Sequence, residues 1–174
     1  MNDSGHPKAQ NKQLFQHPKL HRACICLGSN IDPEANMQKA VALLREMTNV
    51  EGLSACYETL AVGSNGPNFL NMAACLLTTY DPAGVKEKVI QPIEQQLGRV
   101  RQPDKNAPRT IDLDLIVYDY QVLDAGLWRL VHLALPFSEL VPDLVDPERG
   151  ITLRQVAQEL VEKYPVIPRP EVVF

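Results

Sequence analysis

No stretch of this 174-residue chain approaches the 18 or so consecutive apolar residues of a membrane span, and its N-terminus has no apolar signal core. A surplus of positive charge is missing too. The 17 Lys and Arg face 21 Asp and Glu, a net charge of −4 with a pI near 5.6. Nucleic acids and anionic membranes are held by basic surfaces, so neither is an expected partner, and any phosphate site must be a local cluster. Cysteine is sparse, at four residues. Cys24-x-Cys26 has neither the usual zinc nor the usual redox spacing, and Cys56 and Cys75 sit in apolar, strand-like runs. All four read as buried free thiols of a protein in a reducing cytoplasm. No Ser-His-Asp or Cys-His arrangement, internal repeat or second domain is visible. What is present is ordinary for one soluble globular domain, 45% apolar and 22% charged, long enough to bury a core.

The rest of the chain is arranged around Gly98 to Tyr118, GRVRQPDKNAPRTIDLDLIVY. From Thr110 to Tyr118 it alternates, with Ile111, Leu113, Leu115 and Val117 on one side and Asp112 and Asp114 on the other. Successive strand side chains point to opposite faces, so the two carboxylates share a face roughly 6–7 Å apart, within bridging reach of divalent cations. Just before them, Arg99, Arg101, Lys105 and Arg109 place four cations in a Gly- and Pro-punctuated loop, opposed only by Asp104. A lone D-x-D is most often a solvated polar face, and a basic loop most often plain surface. Their conjunction in one short run is what polyphosphate chemistry requires. Arginines hold phosphate oxygens bidentately, and carboxylates hold Mg2+, which takes hard oxygen ligands and shares itself with phosphates.

In chain order, residues 1–22 are polar and aperiodic and read as a disordered extension to a single domain over 23–174. Ala23 to Leu27 suits a strand buried on both faces, ended by a turn at Gly28-Ser29-Asn30. Asp32-Pro33 opens a helix with the stripe Met37, Ala40, Val41 and Leu44, ending near Thr48. Leu53 to Thr59 and Phe69 to Thr79 read as strands around the loop 61–68. Asp81-Pro82 opens a second helix carrying Val85, Val89, Ile93 and Leu97, interrupted near Pro92 and capped by Gly98. Thr110 to Tyr118 is the fourth strand. Leu135 to Pro147 predicts a short helical turn, and Thr152-x-x-Gln155 a capping box for a last helix through Leu160 or Val161. The order β-α-β-β-α-β is the ferredoxin-like α+β layout, an antiparallel sheet with helices appended at the C-terminus.

Several separated runs resemble one family, the 6-hydroxymethyl-7,8-dihydropterin pyrophosphokinases of folate biosynthesis. They are LGSN (Leu27 to Asn30), YET (Tyr57 to Thr59), GPNFLN (Gly66 to Asn71), EQQLGRVR (Glu94 to Arg101), PRTIDLD (Pro108 to Asp114) and, more weakly, PFSELVP (Pro136 to Pro142). The resemblance implies transfer of the terminal pyrophosphate of ATP to the hydroxymethyl oxygen of a reduced pterin, releasing AMP. It makes Asp112 and Asp114 the ligands of two Mg2+ ions, and places Arg99, Arg101 and Arg109 on the triphosphate. Gln91, Glu94 and Leu115 fall on the nucleotide side. Thr59, Val62, Phe69 and Asn71 fall on the pterin side, Phe69 stacking on the ring and Asn71 pairing with its amide edge. Chemistry of this kind rests on positioning and charge neutralisation rather than on a nucleophilic side chain. The implied partners are these small molecules, not nucleic acid or membrane, for a cytoplasmic enzyme that is a monomer or weak homodimer.

The chain also departs from that family. Asn106-Ala107 stands where an aromatic and a glycine commonly precede the PRT run, and Leu60 replaces a usual proline. The segment from Leu123 to Pro136 is several residues shorter than the family's loop that closes over ATP. Arg129 and His132 are candidates for what remains of it, Arg129 toward ATP, while His132 equally fits a pterin-stacking position. An active pyrophosphokinase with shortened lids is therefore expected, against the alternative of a silent relative that binds pterin or nucleotide or serves as a partner subunit.

Overall fold

The structure is a computed structural model and describes residues 18–60, 66–100 and 107–174. Arg101 and Val62 lie outside these residues, as do the first 17 residues of the expected extension and Asn106. The extension's last two residues, His21 and Arg22, belong to the first strand.

Strand β1 (His21–Ser29) is buried on both faces along most of its length, as its apolar run requires. Helix α1 (Pro33–Met47) buries the predicted stripe. Asp32 precedes it in a left-handed conformation (φ 41°) and makes no side-chain capping bond, contrary to its expected role. Where one strand from Leu53 to Thr59 was expected, the chain forms β2 (Asn49–Leu53) directly after α1 and then, past a break at residues 54–56, β3 (Tyr57–Thr59). Ser54, between them, donates its amide to the Ala73 carbonyl (2.9 Å) while its hydroxyl accepts from the Ala73 amide (2.8 Å). Both pieces pair with β4 (Phe69–Thr78), which runs antiparallel to β1 from His21↔Thr78 to Ser29↔Leu70.

The second helical region consists of α2 (Pro82–Val85), a π-helical stretch Lys86–Ile90, and α3 (Gln91–Gln96). Asp81 caps it, accepting from the Gly84 amide at 2.7 Å. Pro92 has no N–H, and its ring would crowd the carbonyl four residues earlier, so the chain widens by a π-turn just before it. Gly98, at φ 70°, closes the segment.

Strand β5 (Asp112–Tyr118) pairs with β1 through Gly28↔Asp112 and Cys26↔Asp114. The register then shifts, Ile25 facing Leu115 and Cys24 facing Val117, which makes Ile116 an extra residue. The expected alternation therefore holds only as far as Leu115. Val117 lies on the opposite side from that predicted, packed with Ile116 among Cys24 and Cys26, while Tyr118 joins Leu113.

Strand β6 (Gln121–Val122) and a 3-10 turn (Ala125–Trp128) lead into α4 (Val131–Leu140), a full helix where only a turn was expected. Pro136 within it hid it from the sequence pattern. Helix α5 (Leu153–Lys163) carries the predicted capping box, and β7 (Val166–Pro168) ends the order.

The sheet runs β6-β5-β1-β4-β3-β7, with β2 also on β4, and every pairing is antiparallel. One face packs Ile25, Leu27, Met72 and Leu76 under α1 and the 82–96 helices. The other packs Cys24, Ala73 and Ile116 under α4 and α5, so these helices form a whole layer rather than an appendage. Phe137 is fully buried at the centre of that layer. Phe137→Ala is expected to lower stability by about 3–5 kcal/mol in a denaturant titration.

The cysteine expectation is corrected in part. Cys24 and Cys75 face each other across β1 and β4 and are joined by a disulfide, while Cys26 and Cys56 are free and buried. The pairing follows from register, which the sequence separation of 51 residues conceals. Among the described residues no helix is long and apolar enough to cross a membrane.

Candidate active site

Helices α4 and α5 leave bare the part of the second sheet face where Gly28, Asn71 and Asp112 lie side by side on neighbouring strands. A cavity of about 300 Å3 opens there. Gly28 floors it: a Cβ there would sit 3.3 Å from Asn71 Oδ1, so any larger residue would press on the amide and displace it. Asn71 donates through Nδ2 to the Thr59 hydroxyl at 2.9 Å, which fixes both side chains. Phe69 completes this aromatic and amide wall.

The opposite wall is charged. Asp112 bridges two guanidinium groups, with Oδ1 2.7 Å from Arg99 Nη2 and Oδ2 paired with Arg109 Nη1. The Arg109 guanidinium also lies 5.7 Å from the centre of the Phe69 ring, a cation–π contact that joins the two walls. Asp114 lines the same cavity, as the shared face of alternate strand residues dictates. Low-polarity surroundings, and then the charges of Asp112, Glu94 and Asp124, push its carboxyl above the ordinary value, against the pull of Arg99. Such a carboxylate gains from a cation placed beside it.

The run Ser29-Asn30 holds this apparatus in place, a role its sequence alone did not disclose. The Ser29 hydroxyl donates to the Thr110 carbonyl at 2.5 Å, and Asn30 Oδ1 accepts from the Arg109 amide at 2.7 Å. The Asn30 and Ile31 amides both donate to the Arg109 carbonyl, and Asn30 Nδ2 reaches the Pro67 carbonyl at 3.2 Å. One turn after β1 thus pins the segments on either side of the cavity. Glu94 is buried behind the charged wall, accepts from the Leu113 amide at 3.1 Å and lies 3.5 Å from Arg99 Nε. Its place is that of a support for Asp112 and Arg99.

Of the residues singled out by sequence, Thr59, Phe69, Asn71, Arg109, Asp112, Asp114 and His132 line the cavity, with Arg99 and Glu94 directly behind. Gln91 and Leu115 are not on its wall. Leu115 packs against the core on the other sheet face, and Gln91 begins α3. Arg129 is not there either. The candidate lid from Asp124 to Leu133 folds as the 3-10 turn and the start of α4, turning Arg129 and Trp128 toward a separate cavity of about 960 Å3. His132, from the same segment, does face the site. Burial holds its ring below the ordinary value, with Asp124 opposing, which keeps it neutral at pH 7.

Asp124 and Cys26, which sequence reasoning did not place here, also line the cavity. Nothing local to Asp124 marked it, because only the 3-10 turn it caps brings it round. The Cys26 thiol is pushed up by burial first and then by Asp114, Asp112 and Asp124, so it stays protonated and inert.

A hard divalent cation fits this donor set. Asp112 and Asp114 supply two carboxylates on one face, and among the described residues no cluster of three or more His, Cys, Asp or Glu completes a cage. Mg2+ suits such a partial site, since it keeps waters and takes further oxygens from a substrate's phosphates.

A family model described as 7,8-dihydro-6-hydroxymethylpterin-pyrophosphokinase (HPPK) matches residues 24–155. A 2-amino-4-hydroxy-6-hydroxymethyldihydropteridine pyrophosphokinase of Synechocystis sp. is 33% identical over 163 residues, covering 86% of this chain and 83% of that one. Its counterpart in Pseudomonas aeruginosa is 30% identical over 141 residues, covering 74% and 86%. The Folic acid synthesis protein fol1 of Schizosaccharomyces pombe is 31% identical over 176 residues, 90% of this chain but 23% of that protein. Among solved structures, the Plasmodium falciparum HPPK-DHPS with SDX-DHP superposes with a TM-score of 0.60 at 13% identity. The match covers 82% of this chain and 44% of that one, and speaks to the fold alone.

Proposed function

Because the chain belongs to the 7,8-dihydro-6-hydroxymethylpterin-pyrophosphokinase family, we propose that it transfers pyrophosphate from ATP to 6-hydroxymethyl-7,8-dihydropterin, a step of folate synthesis. The hydroxymethyl oxygen attacks the β-phosphorus, the bridge between the α- and β-phosphates breaks, and AMP leaves with that bridging oxygen. The observation that carries this reading is the Arg109 guanidinium. It is paired with Asp112 on one side and lies over Phe69 on the other, so that one residue spans a polyphosphate half and an aromatic half of a single cavity.

In this reading Phe69 stacks on the flat pterin, and Asn71 and Thr59 address its donor and acceptor edge. Neutral His132 faces the same half. Arg99 and Arg109 pass from Asp112 to the triphosphate oxygens, and Arg101 joins them on the nucleotide side. Asp112 and Asp114 would hold Mg2+, two ions in this reading, and the bound metal would supply charge neutralisation at the phosphates during attack by the hydroxymethyl oxygen. The strand order β5-β1-β4-β3, with helices after β1 and β4, supports a ferredoxin-like core under this site. A cytoplasmic monomer or weak homodimer is part of the same reading.

Calorimetric titration with Mg2+, a non-hydrolysable ATP analogue and the reduced pterin tests it. Both ligands are expected to bind, and a chain that takes neither is not this enzyme. Arg129→Ala is expected to leave the affinity for the analogue within about twofold, since distant sites act independently. A large loss there would return Arg129 to the ATP site.

A further inference from the structure

We propose that the C-terminal strap, Val166 to Phe174, is a positioning element of the pterin pocket, with Arg169 as its lock. The inference rests on the pterin reading of that pocket, and concerns residues that lie beyond the stretch 24–155 matched by the family model.

Strand β3 is only three residues long, and it carries Thr59, whose hydroxyl holds the Asn71 amide. A strand this short has little of its own to fix it. Its inner neighbour is β4, through Tyr57↔Asn71 and Thr59↔Phe69. Its outer neighbour is β7, through Tyr57↔Pro168, Glu58↔Ile167 and Thr59↔Val166. The strap therefore converts the strand bearing Thr59 from a sheet edge into an interior strand.

Arg169 ties this arrangement together from three directions. Its amide donates to the Cys56 carbonyl at 2.9 Å, just ahead of β3. Its guanidinium donates to Glu58 on β3 at 2.5 Å, to Glu34 on α1 at 2.6 Å, and to Glu171 of the strap itself. Glu58 in turn accepts through its other oxygen from Asn68 Nδ2 at 2.8 Å. Asn68 is the residue before Phe69, so one chain of bonds runs Arg169–Glu58–Asn68 and fixes both the β3 end and the β4 start. Beyond Arg169 the strap is anchored, with Val172 buried in the α1-side core and the Val173 carbonyl accepting from Gln38. Arg169 is not among the described residues that line the cavity. It sets the spacing of Thr59, Phe69 and Asn71, and leaves the charged wall alone.

The test is calorimetry on the full chain with the reduced pterin, Mg2+ and a non-hydrolysable ATP analogue, alongside thermal melts. Arg169→Met is expected to weaken pterin binding about tenfold, the scale on which small misplacements act. The affinity for the ATP analogue should stay within about twofold, because its wall is separately held. Arg169→Lys keeps the charge but not the planar fork, and should recover only part of the loss. Asn68→Ala should act in the same direction from the other end of the chain of bonds. Should Arg169→Met fail to fold, Glu58→Gln removes the charged link with little change of shape and carries the same expectation. Unchanged pterin affinity in folded variants would overturn the proposal, as would equal losses for pterin and analogue. If the wild-type chain binds the analogue but no pterin, the pterin reading itself fails and the proposal falls with it.

Discussion

Replacing Asp112 or Asp114 by asparagine is expected to lower kcat by about 100- to 1000-fold, since each substitution would remove a proposed hard ligand of a metal that contributes several kcal/mol of charge stabilisation. The two variants part company in the absence of metal. Asp112 accepts from both Arg99 and Arg109, so Asp112→Asn removes the charge from both ion pairs and should cost about 1–3 kcal/mol of stability. Asp114 has its carboxyl held above the ordinary value by burial and like charges. The folded state thus favours its neutral form, and Asp114→Asn should melt at or above the wild-type temperature in EDTA. The bridging arginines set Asp112 apart from Asp114 in this respect. A near wild-type rate in either variant at ordinary Mg2+ would remove the metal assignment.

Arg109→Ala is expected to cost kcat/KM more than 100-fold, a loss of the several kcal/mol that follows when a charge-assisted contact in a closed site is removed. Arg99→Ala should cost less. Arg109 has two duties, because its guanidinium pairs with Asp112 and lies over Phe69. Its removal should raise KM for the pterin as well as weaken ATP, whereas Arg99→Ala should touch ATP alone. Arg109→Lys should recover little, since a point charge neither forks nor stacks. Equal and small effects from both arginines would reduce them to surface charge.

Much of this was legible in the sequence. The first, third and fourth expected strands, both Asp-Pro helix starts, the capping box and the pair Asp112 and Asp114 all rest on short-range pattern, and they are close to where expected, whereas β2, β6 and β7 were not foreseen. What escaped depends on tertiary placement. The bulge at Ile116 is a property of the pairing with β1, so no alternation within β5 could reveal it. Helix α4 carries a proline, and its apolar residues serve a sheet face that the sequence does not identify. Leu115 obeyed the strand alternation and so faces the core, even though the resemblance places it on the nucleotide side. Arg129 and His132 are three residues apart, yet Arg129 ends the 3-10 turn and His132 lies in the first turn of α4, so the two side chains line different cavities. The roles of Ser29 and Asn30 are bonds to residues some 80 positions away, beyond the reach of any local rule.

The most direct measurement is the nucleotide product formed from ATP and Mg2+ in the presence of 6-hydroxymethyl-7,8-dihydropterin, resolved by ion-exchange chromatography. AMP and pterin diphosphate are expected in equal amounts, with none formed when EDTA replaces Mg2+. Release of ADP with a pterin monophosphate, or no pterin-dependent turnover by a chain that binds both ligands, would contradict it.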